Sequence, residues 1–241
     1  MTIKLGIPSK GRLQDKTFEW FQARGVTLQR SDSTREYAGS VKGMEGIDLV
    51  LLSAGEIPQE LAAGRIHLGV TGTDLIHERI VRWQDRVEIL GLMGFGHADL
   101  VVAVPKTWVD VETLDDLDAA AAQFRARHGF RLRIATKYHN LVRDFLRAHG
   151  VADYQLVDSQ GATEGTVKNL TAEAIADITS TGDTLEANHL KVLSDGLIHQ
   201  SQAALVASVS AEPSTAERAT LTTLLDRLGL PMRTTSEGSA C

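Results

Sequence analysis

The chain has 241 residues, of which 43% are hydrophobic, 23% charged and 5% aromatic, and its formal net charge is -6. These values are typical of a globular protein with an aliphatic core and exclude a disordered chain. The acidic balance argues against nucleic-acid binding, which needs a basic face. The one cysteine, Cys241, excludes a disulfide framework or a cysteine-based zinc site within the chain.

No segment has the pattern of a signal peptide or of a membrane span. The N-terminus, MTIKLGIPSKGRL, lacks an apolar stretch of signal-peptide length, and no run approaches 18 apolar residues. The eight histidines show no paired spacing of the kind that binds metal. We therefore expect a cytoplasmic protein with no membrane segment and no dedicated metal site.

Short aliphatic runs alternate with longer amphipathic ones along the chain. The predicted strands are Ile3–Ile7, Asp48–Ser53, His67–Thr71, Val87–Leu92, Leu100–Val104, Arg133–Ala135, Tyr154–Val157, Ala174–Thr179 and Lys191–Leu197. The predicted helices are Leu13–Ala23, Ile57–Ala63, Leu114–His128, Asn140–His149 and a surface helix over 215–230. This βαβα order predicts an α/β fold with parallel or mixed sheets covered by helices.

The pattern favours two α/β domains over one. The run ADLVVAVP at 98–105 and the stretch 190–207 are both long and extended, and a βαβαβα block of domain size lies between them. The predicted division is a discontinuous domain over 1–103 and 188–241, with an inserted domain over 104–187. A cleft between two such domains is the expected ligand site.

The first candidate site follows the first strand, in Pro8-Ser9-Lys10-Gly11-Arg12. Two cations and a glycine at a strand-to-helix turn lie where α/β sheets bind ligands, and Arg12 offers a bidentate fork for phosphate. The alternative is a solvated turn with two surface cations. The pattern GxxxxGK[ST] is absent, so this is not a Walker loop.

The second candidate is the segment ADITSTGDTL at 176–185, where a strand gives way to a helix. Backbone amides at a helix N-terminus, the helix dipole and threonine hydroxyls favour a phosphate dianion, and Gly182 lets the backbone approach it. Plain helix capping, by a hydroxyl or by Asp183, accounts for the same residues. Asp177 can accept hydrogen bonds from ribose hydroxyls or form a local Asx turn.

Two weaker candidates lie earlier in the chain. Glu164, in GATE at 161–164, precedes Asp177 by 13 residues, and both carboxylates can face one ribose if their strands end at one edge. An exposed glutamate in a first helical turn is the plainer interpretation. In GVTGTDLIHE at 69–78, polar groups after a strand can contact a ligand, but Thr73 or Asp74 as an N-cap is the plainer interpretation.

Four stretches resemble the ATP phosphoribosyltransferase family, whose reaction opens histidine biosynthesis. They are GIPSKGRL at 6–13, LVVAVP at 100–105, RIATKYHNLVRDFL at 133–146 and ATEGTVKNLTAEAIADITSTGDTLEANHL at 162–190. The last is the most specific, because most of the family pattern is present there. The matching residues are Glu164, Ala172, Ile175, Asp177, Thr181, Gly182, Thr184 and Leu185.

The chain departs from the family pattern at three positions. Leu170 stands where the family usually has glycine, and His139 stands where it has proline. Ser53 occupies the place of an arginine that many members have before a turn like the one at Glu56. This leaves open which residue helps the pyrophosphate to leave, with Arg35 and Arg65 as candidates.

The resemblance implies two α/β domains with mixed sheets, of the type II periplasmic-binding-protein kind. It implies ATP and 5-phosphoribosyl-1-pyrophosphate as substrates and N1-(5-phosphoribosyl)-ATP and pyrophosphate as products, with Mg²⁺ carried by the substrate pyrophosphate. Positioning and electrostatics would carry catalysis without a covalent nucleophile. The implied site has catalytic cations, a ribose-binding pair and a phosphate turn. These are Lys10 and Arg12; Glu164 and Asp177; and Ser180, Thr181, Gly182, Asp183 and Thr184.

The length resembles that of the short family members, which pair with a regulatory subunit resembling histidyl-tRNA synthetase. Two other classes stay open. A periplasmic ligand-binding module would share the fold, although the signal peptide is missing. A type I phosphoribosyltransferase also has a T-G-x-T loop, but it usually has two adjacent acids there, and here Ile178 follows Asp177.

Overall fold

The computed structural model describes residues 2–31, 38–159 and 161–231. In chain order, its strands are β1 (Ile3–Pro8), β2 (Leu28–Arg30), β3 (Ala38–Val41), β4 (Met44–Leu52), β5 (Leu68–Gly72), β6 (Val87–Leu92), β7 (Ala98–Pro105), β8 (Leu132–Thr136), β9 (Tyr154–Asp158), β10 (Ala174–Thr179), β11 (Leu190–Ser201) and β12 (Ala203–Ser208). Its helices are α1 (Gly11–Gln22), α2 (Ile57–Ala62), α3 (Thr73–Arg79), α4 (Leu114–His128), α5 (His139–Ala148), α6 (Gly165–Lys168), α7 (Asp183–Ala187) and α8 (Thr215–Leu228), with a 3₁₀ turn at Trp83–Asp85.

The chain divides into two compact units, one of residues 1–96 with 202–241 and one of residues 97–201. The predicted boundaries at 104 and 187 differ from these. β7 and β11 pair with each other in antiparallel fashion from Ala98 to Pro105 and from Leu190 to Ser201. Because these hydrogen bonds join the two strands along one sheet, both strands belong to the second unit and do not cross between units.

The first unit contains a mixed sheet in the order β2-β3-β4-β1-β5-β12-β6. β1 pairs in parallel with β4 and β5, whereas β12 is antiparallel to β5 and β6. β3 is antiparallel to both β2 and β4. The strands β1, β2, β4 and β5 therefore all run in the same direction and end at the same edge of the sheet.

The core of the first unit is aliphatic, as the composition predicts. The central strands are buried almost completely, since Ile3, Leu5 and Ile7 of β1 are 0% exposed. α1 and α8 cover one face through residues such as Phe21 and Leu224. A smaller cluster lies around α2 and α3.

The second unit contains a mixed sheet in the order β11-β7-β10-β8-β9. β8 pairs in parallel with both β9 and β10, and β7 is antiparallel to β10 and β11. The carboxyl ends of β8, β9 and β10 therefore lie at one edge, and the segments that follow them start there.

Two long helices begin where their sequences predict, and α8 ends at Leu228, two residues before its predicted end. α4 has a capping box between Thr113 and Asp116, carries arginines in its last turn and ends at Gly129, so its charges complement the helix dipole. α8 has a capping box between Ser214 and Glu217. α3 differs from expectation, because its N-cap is Gly72 and not Thr73 or Asp74. Among the described residues no helix is long and apolar enough to cross a membrane.

Candidate functional site

The turn after β10 has a backbone that only glycine adopts readily at one position. Gly182 is the N-cap of α7 and has φ 83° and ψ -8°, in the left-handed region. A Cβ added there would meet nothing within 4 Å. The glycine is therefore required by conformation, and the space above it is open to a ligand.

Polar groups of the same turn face outward. The Gly182 N–H donates to Thr179 Oγ1 at 2.9 Å, and the Ser180 hydroxyl donates to the His97 carbonyl at 3.1 Å. The Thr181 hydroxyl accepts the Asp183 N–H at 3.4 Å, so local capping accounts for part of the role of Thr181. The exposed Thr184 hydroxyl has no hydrogen-bond partner in the part of the chain that the structure describes. These groups form a small polar turn with donors available to an anion.

Asp177 lies within β10, just before its end at Thr179, and is half-buried. Its Oδ1 accepts the Ile178 N–H at 2.9 Å, which fixes the carboxylate against the backbone. The pairing of β10 with β8 ends at Ala176 and Thr136, so Asp177 is the first residue beyond that ladder. Its second oxygen is left for a hydroxyl donor.

Glu164 follows β9 and lies just before α6. β9 and β10 are not neighbours, because β8 lies between them. All three strands are parallel, so the carboxyl ends of β9 and β10 lie on one edge, about two strand spacings or ~10 Å apart. The segments that contain Glu164 and Asp177 therefore lie toward one edge of the sheet, with the end of β8 between them.

That middle strand end contains a residue that sequence reasoning missed. Lys137 follows β8 directly and is exposed. The strand order places it between the segments that carry Glu164 and Asp177. The sequence RIATKYHN does show a lysine directly after a buried strand. The position of that strand in the sheet, which gives the lysine its meaning, could not be predicted from the sequence. A cation at this position is suited to an anionic ligand.

The Pro8–Arg12 turn follows the carboxyl end of β1, in the sheet of the first unit. Lys10 is extended, with φ -162° and ψ 165°, and α1 begins at Gly11. Both Lys10 and Arg12 are exposed, and neither forms an ion pair within the described residues. The Ser9 N–H donates to the Leu52 carbonyl at 2.7 Å, which ties this turn to the end of β4.

The departure at Ser53 has a local structural consequence. The Ser53 N–H donates to Glu56 Oε2 at 2.9 Å, at the start of α2. Hydrogen bonds from the Ser53 side chain and backbone hold the pKa of Glu56 below its usual value of 4.5. Ser53 therefore closes a tight turn with Glu56 and supplies no cation. Arg65 is engaged elsewhere, and Arg35 lies outside the described residues.

The departure at His139 keeps the local architecture. His139 is the first residue of α5, a position at which proline is common because its missing N–H has no partner there anyway. The His139 ring instead lies 3.3 Å from Asp158, at the end of β9. The described residues contain no group of three or more histidine, cysteine or acidic side chains placed to hold a metal ion.

Relatives of known family match nearly the whole chain. A family model described as HisG: ATP phosphoribosyltransferase matches residues 53–229, which include the turn after β10 but not Lys10 and Arg12. The ATP phosphoribosyltransferase of Cereibacter sphaeroides is 67% identical over 232 residues, or 96% of this chain and 98% of that protein.

Solved structures share the two-domain α/β fold with mixed sheets. The ATP phosphoribosyl transferase (HisG:HisZ) complex from Thermotoga maritima contains a chain with a TM-score of 0.71 and 24% identity, over 95% of this chain and 96% of that one. A histidine kinase sensor domain with similarity to periplasmic binding proteins has a TM-score of 0.51 and 11% identity, over 95% and 89% of the two chains. On the family match and the 67% identity, the chain belongs to the ATP phosphoribosyltransferase family.

Proposed function

We propose that the protein transfers the phosphoribosyl group of 5-phosphoribosyl-1-pyrophosphate to N1 of ATP, the first step of histidine biosynthesis. The observation that carries the proposal is the turn after β10, which follows Asp177 of that strand and has Gly182 in a left-handed conformation. It lies within the segment that the family model matches. The 67% identity to a named ATP phosphoribosyltransferase supports the same activity.

In this proposal the turn after β10 binds the 5′-phosphate. The open space over Gly182 admits a phosphate oxygen, and the Thr181 and Thr184 hydroxyls donate to it. Ser180 holds the turn through the His97 carbonyl. Asp177 and Glu164 accept hydrogen bonds from the ribose hydroxyls. Such donors act without reorganisation, because the fold fixes them beforehand.

Cations neutralise the polyphosphates. Lys10 and Arg12 face these groups in the first unit, and Lys137 adds a charge at the end of β8. The pyrophosphate enters with Mg²⁺ as part of the substrate, since Mg²⁺ is commonly held by substrate phosphates. When N1 of adenine forms its bond to the anomeric carbon, the bond to pyrophosphate breaks and its electron pair leaves with the pyrophosphate. Positive charge that develops on the ribose is stabilised by the nearby carboxylates.

We also propose that the chain works in the cytoplasm with a regulatory subunit that resembles histidyl-tRNA synthetase and confers inhibition by histidine. Support comes from the Thermotoga maritima chain of similar fold, which is part of a HisG:HisZ complex. If the chain alone is fully active and is inhibited by histidine without any partner, this division of roles is wrong.

The test is an absorbance assay with ATP, phosphoribosyl pyrophosphate, Mg²⁺ and a pyrophosphatase, at a wavelength where N1-substituted adenine absorbs and ATP does not. The wild-type protein, with the synthetase-like subunit present, should give a steady rise. A folded Asp177→Ala, Thr184→Ala variant should lose at least about a hundredfold in rate, as losing preorganised donors does in other enzymes. Asp226→Ala, Thr223→Ala on the exposed face of α8 is the matched control and should keep the wild-type rate.

Other outcomes separate the competing functions. No rise even with the partner subunit would contradict the enzyme assignment and favour a ligand-binding module. Turnover with free adenine or guanine in place of ATP would favour a type I phosphoribosyltransferase. Equal rates for the Asp177→Ala, Thr184→Ala variant and its control would leave the activity in place but remove the turn from the site.

A further inference from the structure

Arg30 lies at the same edge of the first sheet as the Pro8–Arg12 turn. β2 ends at Arg30, and β2 runs parallel to β1 because two antiparallel pairings separate β2 from β4. The ends of β2, β4 and β1 therefore share one edge. No feature of the sequence indicated this, since β2 has only three residues and follows a glycine turn.

The Arg30 guanidinium contacts the turn itself. Its Nη2 donates to the Ser9 carbonyl at 3.3 Å and to Gln14 Oε1. Gln14 is buried and donates from Nε2 to the Pro8 carbonyl at 2.7 Å. Arg30 thus holds, directly and through Gln14, the two carbonyls that precede Lys10.

The same guanidinium keeps donors for a ligand. Its contacts use Nη2 alone, and Nη1 and Nε have no hydrogen-bond partner among the residues that the structure describes. The Arg30 side chain is exposed. A guanidinium whose Nη1 and Nε have no partner within residues 2–31, 38–159 and 161–231 matches neighbouring oxygens of a phosphate or pyrophosphate.

Arg30 also lies beside the position where the family pattern has its arginine. Pro8 pairs with Leu52 as the last pair between β1 and β4, so Ser9 and Ser53 are the next residues of two adjacent strands, about 4.8 Å apart across the sheet. The guanidinium that contacts Ser9 is therefore close to Ser53. Arg30 therefore supplies a positive charge at the edge of the sheet where Ser53, an uncharged residue, follows β4.

Arg65, the other described arginine considered for this role, is at the opposite edge. It precedes the amino end of β5, and β5 is parallel to β1. Its Nε and Nη2 donate to the two Glu60 oxygens at 2.7 and 2.6 Å. Arg65 is therefore paired with Glu60 and lies at the edge opposite the Pro8–Arg12 turn.

We propose that Arg30 binds the pyrophosphate group of phosphoribosyl pyrophosphate beside the Pro8–Arg12 turn. This rests on the proposed function, because the pyrophosphate is its leaving group. Nη2 keeps the turn in place, while Nη1 and Nε donate to pyrophosphate oxygens. Charge that develops on the leaving group is then stabilised by Lys10, Arg12 and Arg30 together.

The experiment measures binding of Mg²⁺–pyrophosphate by titration calorimetry, alongside steady-state kinetics with the partner subunit present. Arg30→Ala should weaken pyrophosphate binding and lower kcat/KM for phosphoribosyl pyrophosphate by about tenfold or more, since hydrogen bonds to charged groups are strong. KM for ATP should change less than about twofold. Arg30→Lys should keep part of the affinity, because it retains the charge without the fork. Arg65→Ala is the matched control and should behave as wild type.

A bracing role alone is tested by Gln14→Met, which removes the link to the Pro8 carbonyl and leaves the Arg30 side chain in place. If Gln14→Met loses as much pyrophosphate affinity as Arg30→Ala, Arg30 only braces the turn and the proposal is overturned. Wild-type affinity in Arg30→Ala, or a loss that appears in Arg65→Ala instead, overturns it as well. A wild-type protein that turns over substrate while Arg30→Ala binds pyrophosphate normally refutes this inference alone. A wild-type protein that does not bind pyrophosphate refutes the proposed function too.

Discussion

At the scale of single residues, Leu170 has an unfavourable backbone. It follows α6 with φ 56°, and its side chain is 80% exposed. The left-handed region costs a residue with a Cβ about 1–2 kcal/mol, and a leucine with little burial gains little in return. Glycine, which the family usually has at this position, avoids that cost. The leucine therefore adopts a left-handed conformation that glycine would adopt without this cost.

Replacing this leucine should therefore stabilise the protein. Leu170→Gly removes the steric cost but adds backbone entropy to the unfolded chain, so we expect a net gain of about 0.5–1 kcal/mol in the free energy of unfolding. Chemical denaturation with urea measures it. Leu170→Ala is the matched control, because alanine removes the side chain but keeps the Cβ. A gain of equal size in Leu170→Ala would assign the effect to the exposed side chain and not to the backbone.

At the scale of elements, the start of β5 makes stability depend on pH. His67 precedes this strand, and its Nδ1 accepts the Lys4 N–H of β1 at 3.0 Å. Burial holds the pKa of His67 below its usual value of 6.5; Lys4 acts in the same direction, and Glu217 opposes both. Protonation of Nδ1 would also remove the acceptor. The folded state thus prefers the neutral ring.

The sign of the pH effect follows from that preference. A histidine whose pKa is lower in the folded state contributes stability that is present above pH 6.5 and is lost as the pH falls toward the folded-state pKa. The urea midpoint should therefore decrease below pH 6.5. In His67→Gln, whose amide oxygen can still accept the Lys4 N–H, that part of the decrease should disappear. Exposed His149→Gln should keep it, and an unchanged slope in His67→Gln would contradict the assignment.

Long elements could be predicted from sequence, and short edge strands could not. α4 had acidic residues at its start, basic residues at its end and a glycine after it, and the structure has the helix at the predicted residues. β2 and β3 were missed, since β2 has three residues and β3 buries only Val41. Neither has an apolar run, and each is defined by its hydrogen bonds to the neighbouring strand. Arg30, at the end of β2, was missed for the same reason.

At the scale of the whole molecule, the candidate site depends on strand order more than on motif. The turn from Ser180 to Thr184 could be found because glycine and hydroxyl residues are close together in sequence. The placement of Lys137 between Glu164 and Asp177 follows only from the position of β8 in the sheet. The predicted domain boundaries differ from those of the compact units for a similar reason. The pairing of β7 with β11 is a long-range contact that the sequence does not reveal.

Phosphoribosyl pyrophosphate bound at the turn after β10 should stabilise the folded protein. Phosphoribosyl pyrophosphate with Mg²⁺ at a hundred times its Kd should add about 2.7 kcal/mol, which for a chain of this size raises Tm by about 5–10 °C. Differential scanning calorimetry measures the shift. Thr184→Val should reduce it, because valine keeps the shape and removes the hydroxyl, whereas Thr223→Val on α8 should not. If Thr184→Val shows the same shift as the wild-type protein, the Thr184 hydroxyl must be removed from the proposed site.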